Sequence, residues 1–311
     1  MRRGNADFVS VAPLTSLFIA TNVVLFIVES MKSGSMEISS DVLIAMYGSL
    51  RERMWEGEWI RLIAPNFLHG GIIHILMNSM SLRSLGPAAE LHFGSSNFGT
   101  IYLLSGVSGF CFSQIFGGHL AIGASASIFG LIGAELAVQL MRAPVLKHAW
   151  RNSEVKQMAL WIGIYFLIGV SGMMGQIDNW AHLGGFLVGL LLATFFELWR
   201  RHSRIGLPLV VSVFLLVSGL AAAARWSVFN PYYHVHQAAL AEKAGAKSEA
   251  ALHDLKALEW AKFWKNEKGV RLIIDARKEG FWTVDDVYVY GYKYLPEWVY
   301  YKIQTQQRSV E

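Results

Sequence analysis

Apolar residues come in long blocks along this chain, with the charged residues gathered between them. Hydrophobic runs cover roughly 13–28, 70–86, 98–117, 124–141, 158–174, 181–199 and 206–224. Each approaches the ~20 residues that a helix rising about 1.5 Å per residue needs to cross ~30 Å of hydrocarbon. The pattern predicts seven membrane-spanning helices. The first, second and fifth runs are short or spotted with polar residues (Thr21, Asn22, Asn78, Ser81), so their ends are less sharply marked. Arg2 and Arg3 precede the first run in the charge order of a secretion signal. Glu29, Met31 and Lys32 follow it instead of a small-residue cleavage site, so the run reads as a retained helix.

Orientation follows from where the cations fall. One set of connections holds Arg83, then Arg142, Lys147, Arg151 and Lys156, then Arg200, Arg201 and Arg204, while the opposite connections at 117–123 and 175–181 hold no Lys or Arg. Basic loops stay cytoplasmic, which puts the N-terminus inside and, after seven spans, the C-terminus outside. A bacterial inner membrane is the expected location. The first outer loop, 31–69, is long and polar enough to hold structure of its own, and its Lys32, Arg51, Arg53 and Arg61 are partly balanced by acids.

Composition narrows the class. Of 311 residues 53% are hydrophobic and 16% charged, below the roughly 25% charge of soluble domains. A net charge of +4 invites a nucleic-acid reading, but the cations sit in short clusters at span ends, and membrane topology accounts for them. The single cysteine, Cys111, lies inside an apolar run, so there is no disulfide framework and the residue reads as a small core hydrophobe. Beyond about residue 225 the chain turns polar and aromatic. Leu252, Leu255 and Leu258 recur at helical spacing, and Thr283-Val284-Asp285-Asp286 has the form of a capping box. A small, mainly helical extramembrane domain is expected over 227–311, after a bundle over 1–204 and one further span over 205–226.

The fourth run opens with Gly123-Ala124-Ser125-Ala126-Ser127-Ile128-Phe129-Gly130. A serine among small residues at the start of a helix can expose its hydroxyl, with its own backbone N–H still free. In the seven-span topology the second, fourth and sixth helices all run inward from the outer face, so their first turns share one depth. Candidate chemistry falls in those turns: His74 and Asn78, four apart and so on one face; Ser125; and His182 in Trp180-Ala181-His182-Leu183-Gly184-Gly185. His69 falls at or before the second helix. Small residues Ala181, Gly185 and Gly189 on one helix, and Ala126, Gly130 and Ala134 on another, would let the two approach closely enough for an imidazole to reach a hydroxyl.

These residues resemble the rhomboid family of intramembrane serine proteases. The match takes in Gly123-Ala124-Ser125 with Phe129-Gly130, His69 with His74 and Asn78, and Ala181-His182 with Gly185 and Gly189. It extends to Glu58-Trp59-Ile60-Arg61 and to Glu90 with Gly94, all in the family's order over about 14–200. Ile60 stands where the family often has a second tryptophan. The resemblance implies an all-α, polytopic, six-helix bundle with one added C-terminal span. It also implies Ser125 as nucleophile, His182 as general base without a carboxylate partner, His74 and Asn78 as oxyanion donors, and supporting roles for His69, Gly123 and Phe129. No cofactor and no metal are implied. The expected partners are the lipid bilayer and membrane-protein substrates with unstable transmembrane helices, not nucleic acid.

Each site residue also has a plainer reading. Ser127, some 200° around the helix from Ser125, reads as a packing residue bonded back to the helix. Asp178, one turn before His182, is placed in the outer loop and not in a triad. Glu135 and Gln139 read as bundle-internal bonds near Arg142, and Trp59 and Arg61 as interfacial anchors. His69, His74 and His182 invite a zinc reading, but no His-Glu-x-x-His helix accompanies them. The rival from another class is a catalytically silent rhomboid-like protein that binds transmembrane segments for trafficking or quality control.

Overall fold

The computed structural model describes residues 8–117, 120–142, 177–201 and 230–281, with scattered positions between 153 and 167 and between 217 and 223. Most of the fifth and seventh apolar runs lies outside the described residues, as does the capping box at Thr283. By contact the chain divides into two compact units, Met1–Ser49 with Trp59–Ala224, and Leu50–Glu58 with Arg225–Glu311.

In the first unit, helix α1 spans Pro13–Ser33 and stops at Gly34, whose φ of 66° is the left-handed setting that closes many helices. No residue beside it caps its start. Instead the buried carboxylate of Glu90 accepts the Leu14 and Thr15 N–H groups, both at 2.9 Å, the Thr15 hydroxyl at 2.8 Å and the Ser95 hydroxyl at 2.7 Å. Four donors thus meet one carboxylate, and two of the helix's orphan N–H groups are satisfied from a distant segment.

The connection over 34–71 is structured. It carries α2 (Ser40–Ala45), α3 (Arg51–Trp55), and 3-10 turns at Trp59–Leu62 and Ala64–Phe67. Arg61 is not the lipid-facing anchor that its place beside Trp59 suggests. It is 3% exposed and donates to the carbonyls of Ile44 at 2.9 Å and Gly48 at 2.8 Å. An irregular loop leaves carbonyls without ladder partners, and a guanidinium with five N–H groups can gather several of them. Trp59 does stay on the surface, 45% exposed.

Four more long helices of this unit lie among the described residues: α4 (Ile72–Phe93), α5 (Ser95–Phe112) with a π-helical turn at Ser113–Gly117, α6 (Ser125–Arg142) and α7 (Asn179–Arg201). Among the described residues, Pro13–Ser33, Ser95–Gly117 and Asn179–Arg201 are long and apolar enough to cross a membrane. Helices α4, α6 and α7 run parallel. Their C-terminal ends meet where His92 Nε2 lies 2.7 Å from Glu197, Arg142 lies 3.4 Å from His92 Nδ1, and Arg201 donates to the Met141 carbonyl. Their N-terminal ends meet at the candidate site.

Close approach of α6 and α7 is a backbone matter. A Cβ on Gly185 would lie 2.1 Å from the Ala126 carbonyl oxygen, and one on Gly189 would lie 2.0 Å from that of Gly130. Gly130 in turn faces Ser105 of α5, where a Cβ would sit at 2.2 Å. With lipid outside, helices gain little by hiding apolar surface from each other, and glycines that admit backbone-to-backbone packing supply the attraction instead.

The second unit is built from α8 (Pro231–Lys243), α9 (Lys247–Phe263) and α10 (Glu267–Lys278) together with α3. Asn230 caps α8, its Oδ1 accepting the Tyr232 N–H at 2.9 Å, and Pro231 takes the first helical position. Trp55 of α3, 1% exposed, packs with Val235, Ala257, Ala261, Val270, Ile273 and Ile274. Helix α9 turns inward Ala250, Asp254, Ala257 and Ala261. Leu252 and Leu255, the residues whose spacing announces the helix, are 50% and 62% exposed.

Candidate active site

Ser125 is the first residue of α6, and the chain is delivered to it by a short extended stretch. Ala121 pairs with Ser49, between α2 and α3, through reciprocal backbone bonds of 3.0 and 2.9 Å, and the Gln114 side chain donates to both the carbonyl and the hydroxyl of Ser49. Gly123 then donates its N–H to Pro65 at 2.8 Å and adopts φ +108°, a setting that side chains disfavour. That turn leaves the Ser125 hydroxyl half-buried at the head of the helix, where the first N–H groups have no intrahelical acceptor.

Across from it, His182 lies in the first turn of α7 and is 9% exposed. Its Nε2 is 2.9 Å from Ser125 Oγ. The Phe129 ring, one turn further along α6, lies flat against the imidazole, with centroids 4.2 Å apart and planes 8° from parallel. Stacking against its face and a hydroxyl at its Nε2 edge together hold the ring in one orientation.

His74 and Asn78 project from the first turns of α4 toward Gly123. A Cβ on Gly123 would lie 2.6 Å from His74 Nε2 and 3.5 Å from Asn78 Nδ2, so glycine is the residue that leaves room for both donors. The Gly70 N–H points at His74 Nδ1 across 3.4 Å. A ring nitrogen that accepts there leaves the proton of a neutral imidazole on Nε2, the atom facing the site. His69 is fully buried, its backbone N–H bonded to the Glu29 carboxylate at 3.3 and 3.2 Å, and its ring is edge-on to His74 with centroids 5.1 Å apart. Burial, reinforced by His74, pushes the His69 pKa down to about 3, so it backs the neighbouring histidine as a neutral ring.

Other residues singled out in the sequence fall outside the cluster. Ser127 is buried and donates to Asn66 Oδ1 at 2.7 Å, a bond across elements and not back along its own helix. Gln139 donates to Glu135 at 2.7 Å. Asp178 bonds the Ala181 N–H at 3.0 Å and the Ser113 hydroxyl. Ser49, Gln114, Asn66 and Ser113 carried no sequence signal, because each gets its role from a partner more than 60 residues away.

Residues 56–199 match the family model for the rhomboid domain. Rhomboid protease GluP of Bacillus subtilis is 29% identical over 77% of this chain and 44% of its own length. RHOMBOID-like protein 4 of Arabidopsis thaliana is 35% identical over 53% and 41%. Rhomboid-type serine protease 2 of Emericella nidulans is 30% identical over 57% and 34%. The chain spans about half the length, or less, of these relatives. Helices of membrane-crossing length, a serine and a histidine in contact at one end of parallel helices, and these three likenesses agree: the chain is an integral membrane protein that carries a rhomboid domain over residues 56–199.

Proposed function

We propose that this chain is an intramembrane serine endopeptidase that cleaves other membrane proteins in or beside their transmembrane helices. The observation that carries the reading is the 2.9 Å approach of His182 Nε2 to Ser125 Oγ beside a glycine flanked by two side-chain donors. In this reading Ser125 Oγ attacks the scissile carbonyl carbon as His182 takes its proton. The oxyanion accepts hydrogen bonds from His74 Nε2–H, Asn78 Nδ2–H and the Ser125 N–H. Collapse breaks the C–N bond, and the imidazolium returns its proton to the leaving amine. Water then attacks the acyl ester with His182 again as base, which releases the acid and restores Ser125. Phe129 holds the ring in place throughout.

A peptide bond inside a helix hides its carbonyl in a hydrogen bond, so the substrate must unwind before it meets Ser125. Transmembrane segments that carry glycine or other helix-weakening residues near the cut are therefore preferred. Orientation with the N-terminus cytoplasmic and the tail outside is supported by the cation pattern. It is also supported by the folding of Leu50–Glu58, from the first outer loop, into one unit with Arg225–Glu311.

The test is cleavage of a fluorescent transmembrane peptide by the purified chain in liposomes, compared with Ser125→Ala and His182→Ala. Cleavage by wild type and background rates for both variants are expected. A wild type that binds the peptide no differently from the variants and never cuts it would favour the silent, segment-binding alternative.

A further inference from the structure

We propose that Asp178 and Ser113 form a latch that sets the rotation of α7, making Asp178 a positioning residue for His182. The proposal rests on the proteolytic reading above. Asp178 immediately precedes α7, and its two carboxylate oxygens are both engaged. Oδ1 accepts the Ala181 N–H at 3.0 Å, and Oδ2 accepts the hydroxyl of Ser113, which is fully buried in the π-helical turn at the end of α5. The Asp178 carbonyl accepts the His182 N–H at 3.1 Å, so one residue closes the first turn of α7 through side chain and main chain together. A second contact binds the same two elements, the Phe116 and Trp180 rings with centroids 4.9 Å apart. One turn later Gly184 rests on Phe112, where a Cβ would lie 2.7 Å from the ring.

A carboxylate one turn from a catalytic histidine invites a triad, but here both oxygens are committed away from the imidazole. What the latch does is angular. Each residue of a helix turns ~100°, so a first turn free to fray or rotate would swing His182 off both Ser125 and Phe129. Fastening that turn to α5 holds the imidazole on the hydroxyl without charge passing between carboxylate and ring.

The distinguishing experiment uses the full chain in liposomes, the fluorescent transmembrane peptide, and a fluorophosphonate that labels Ser125. Asp178→Ala is expected to lower kcat by about 10- to 100-fold with KM within about twofold of wild type, and to slow labelling in parallel. Asp178→Asn is expected to keep most activity and an unchanged pH profile, because its Oδ1 still accepts from Ala181 while its Nδ2 donates to the Ser113 oxygen. Ser113→Ala combined with Asp178→Ala should lose no more than Asp178→Ala alone. The latch is refuted if Asp178→Asn is as damaging as Asp178→Ala, since charge would then be what matters. It is equally refuted if Asp178→Ala keeps the wild-type kcat per molecule titrated by the fluorophosphonate. A wild type that neither cleaves nor labels overturns the protease reading and the latch with it, a result visible before any variant is compared.

Discussion

The two units of this chain bury their carboxylates in contrasting ways. In the helix bundle Glu90 is matched to two backbone N–H groups and two hydroxyls, and Glu29 to the backbone N–H of His69. In the C-terminal unit Asp254 meets the Arg277 guanidinium at 2.9 and 2.8 Å and the Lys278 ammonium at 3.3 Å, and Glu56 meets His236 at 3.0 Å. Inside a bilayer a cationic partner would itself have to be stripped of water, so helix N-termini and hydroxyls serve as donors at lower cost. In the C-terminal unit Arg277 and Asp254 are both buried, and their opposite charges satisfy each other directly. Glu197, at the end of the bundle, takes His92 and Arg200, as the second pattern would have it.

Packing divides in the same way. The bundle is closed by glycines whose missing side chains let carbonyls approach, whereas the second unit is closed by Trp55, alanines and branched aliphatics. Large apolar side chains fill the second arrangement, and close backbone contact closes the first.

The largest effect is expected of Asp254→Ala, which takes both acceptor oxygens from the buried Arg277 Nη2 and leaves the guanidinium only Glu242 at 3.4 Å among the described residues. It should destabilise the C-terminal unit by about 3–5 kcal/mol, read as faster amide exchange over 231–278. Next comes Asn78→Ala, which removes a donor from the site and touches no charge. A fall in kcat equivalent to about 3–4 kcal/mol is expected, with peptide affinity retained. Gly185→Ala puts a methyl group into the Ala126 carbonyl, and overpacking of this kind should cost about 1–3 kcal/mol in thermal unfolding. It should also slow fluorophosphonate labelling of Ser125, because the helices that carry the pair are forced apart.

The smallest effect should be a pH dependence of the C-terminal unit. Burial, with Lys256 nearby, lowers the His253 pKa below its ordinary value even though Glu249 and Asp254 pull the other way. His253 Nδ1 also lies 3.1 Å from His234 Nδ1. A depressed histidine pKa means that the unfolded chain takes up the proton first. Stability is therefore complete above the ordinary histidine range and falls as pH drops through it. Amide exchange over 231–278 at pH 7.5 and 5.5 should show that slope, and His253→Gln should flatten it.

Much of the bundle was legible beforehand because a bilayer imposes a length and a charge rule on every crossing segment. The parity of the spans alone put Ser125, His182, His74 and Asn78 at one depth, and their small-residue neighbours marked the face on which helices would meet. The C-terminal unit was less legible. Leu252 and Leu255 announced a helix but not its inner face, because an alanine-lined side can pack closely and leave leucines outside. Arg61 was misread for a related reason, since a cation beside a tryptophan suggests a membrane surface until the loop's carbonyls are seen to surround it.

By itself the sequence determined that the chain is a membrane protein built on apolar helices and that an alcohol, two imidazoles and an amide lie in the first turns of three helices. Those facts depend on local composition and on spacing within single segments. Only the tertiary structure decided that Gly123 makes room for the two donors, that Asp178 turns toward Ser113 and not His182, and that Trp55 of α3 completes the core formed by α8, α9 and α10. Each of those depends on atoms far apart in the chain meeting at fixed distances, and hydrogen bonds and close packing lose most of their strength within about an ångström of their optimum.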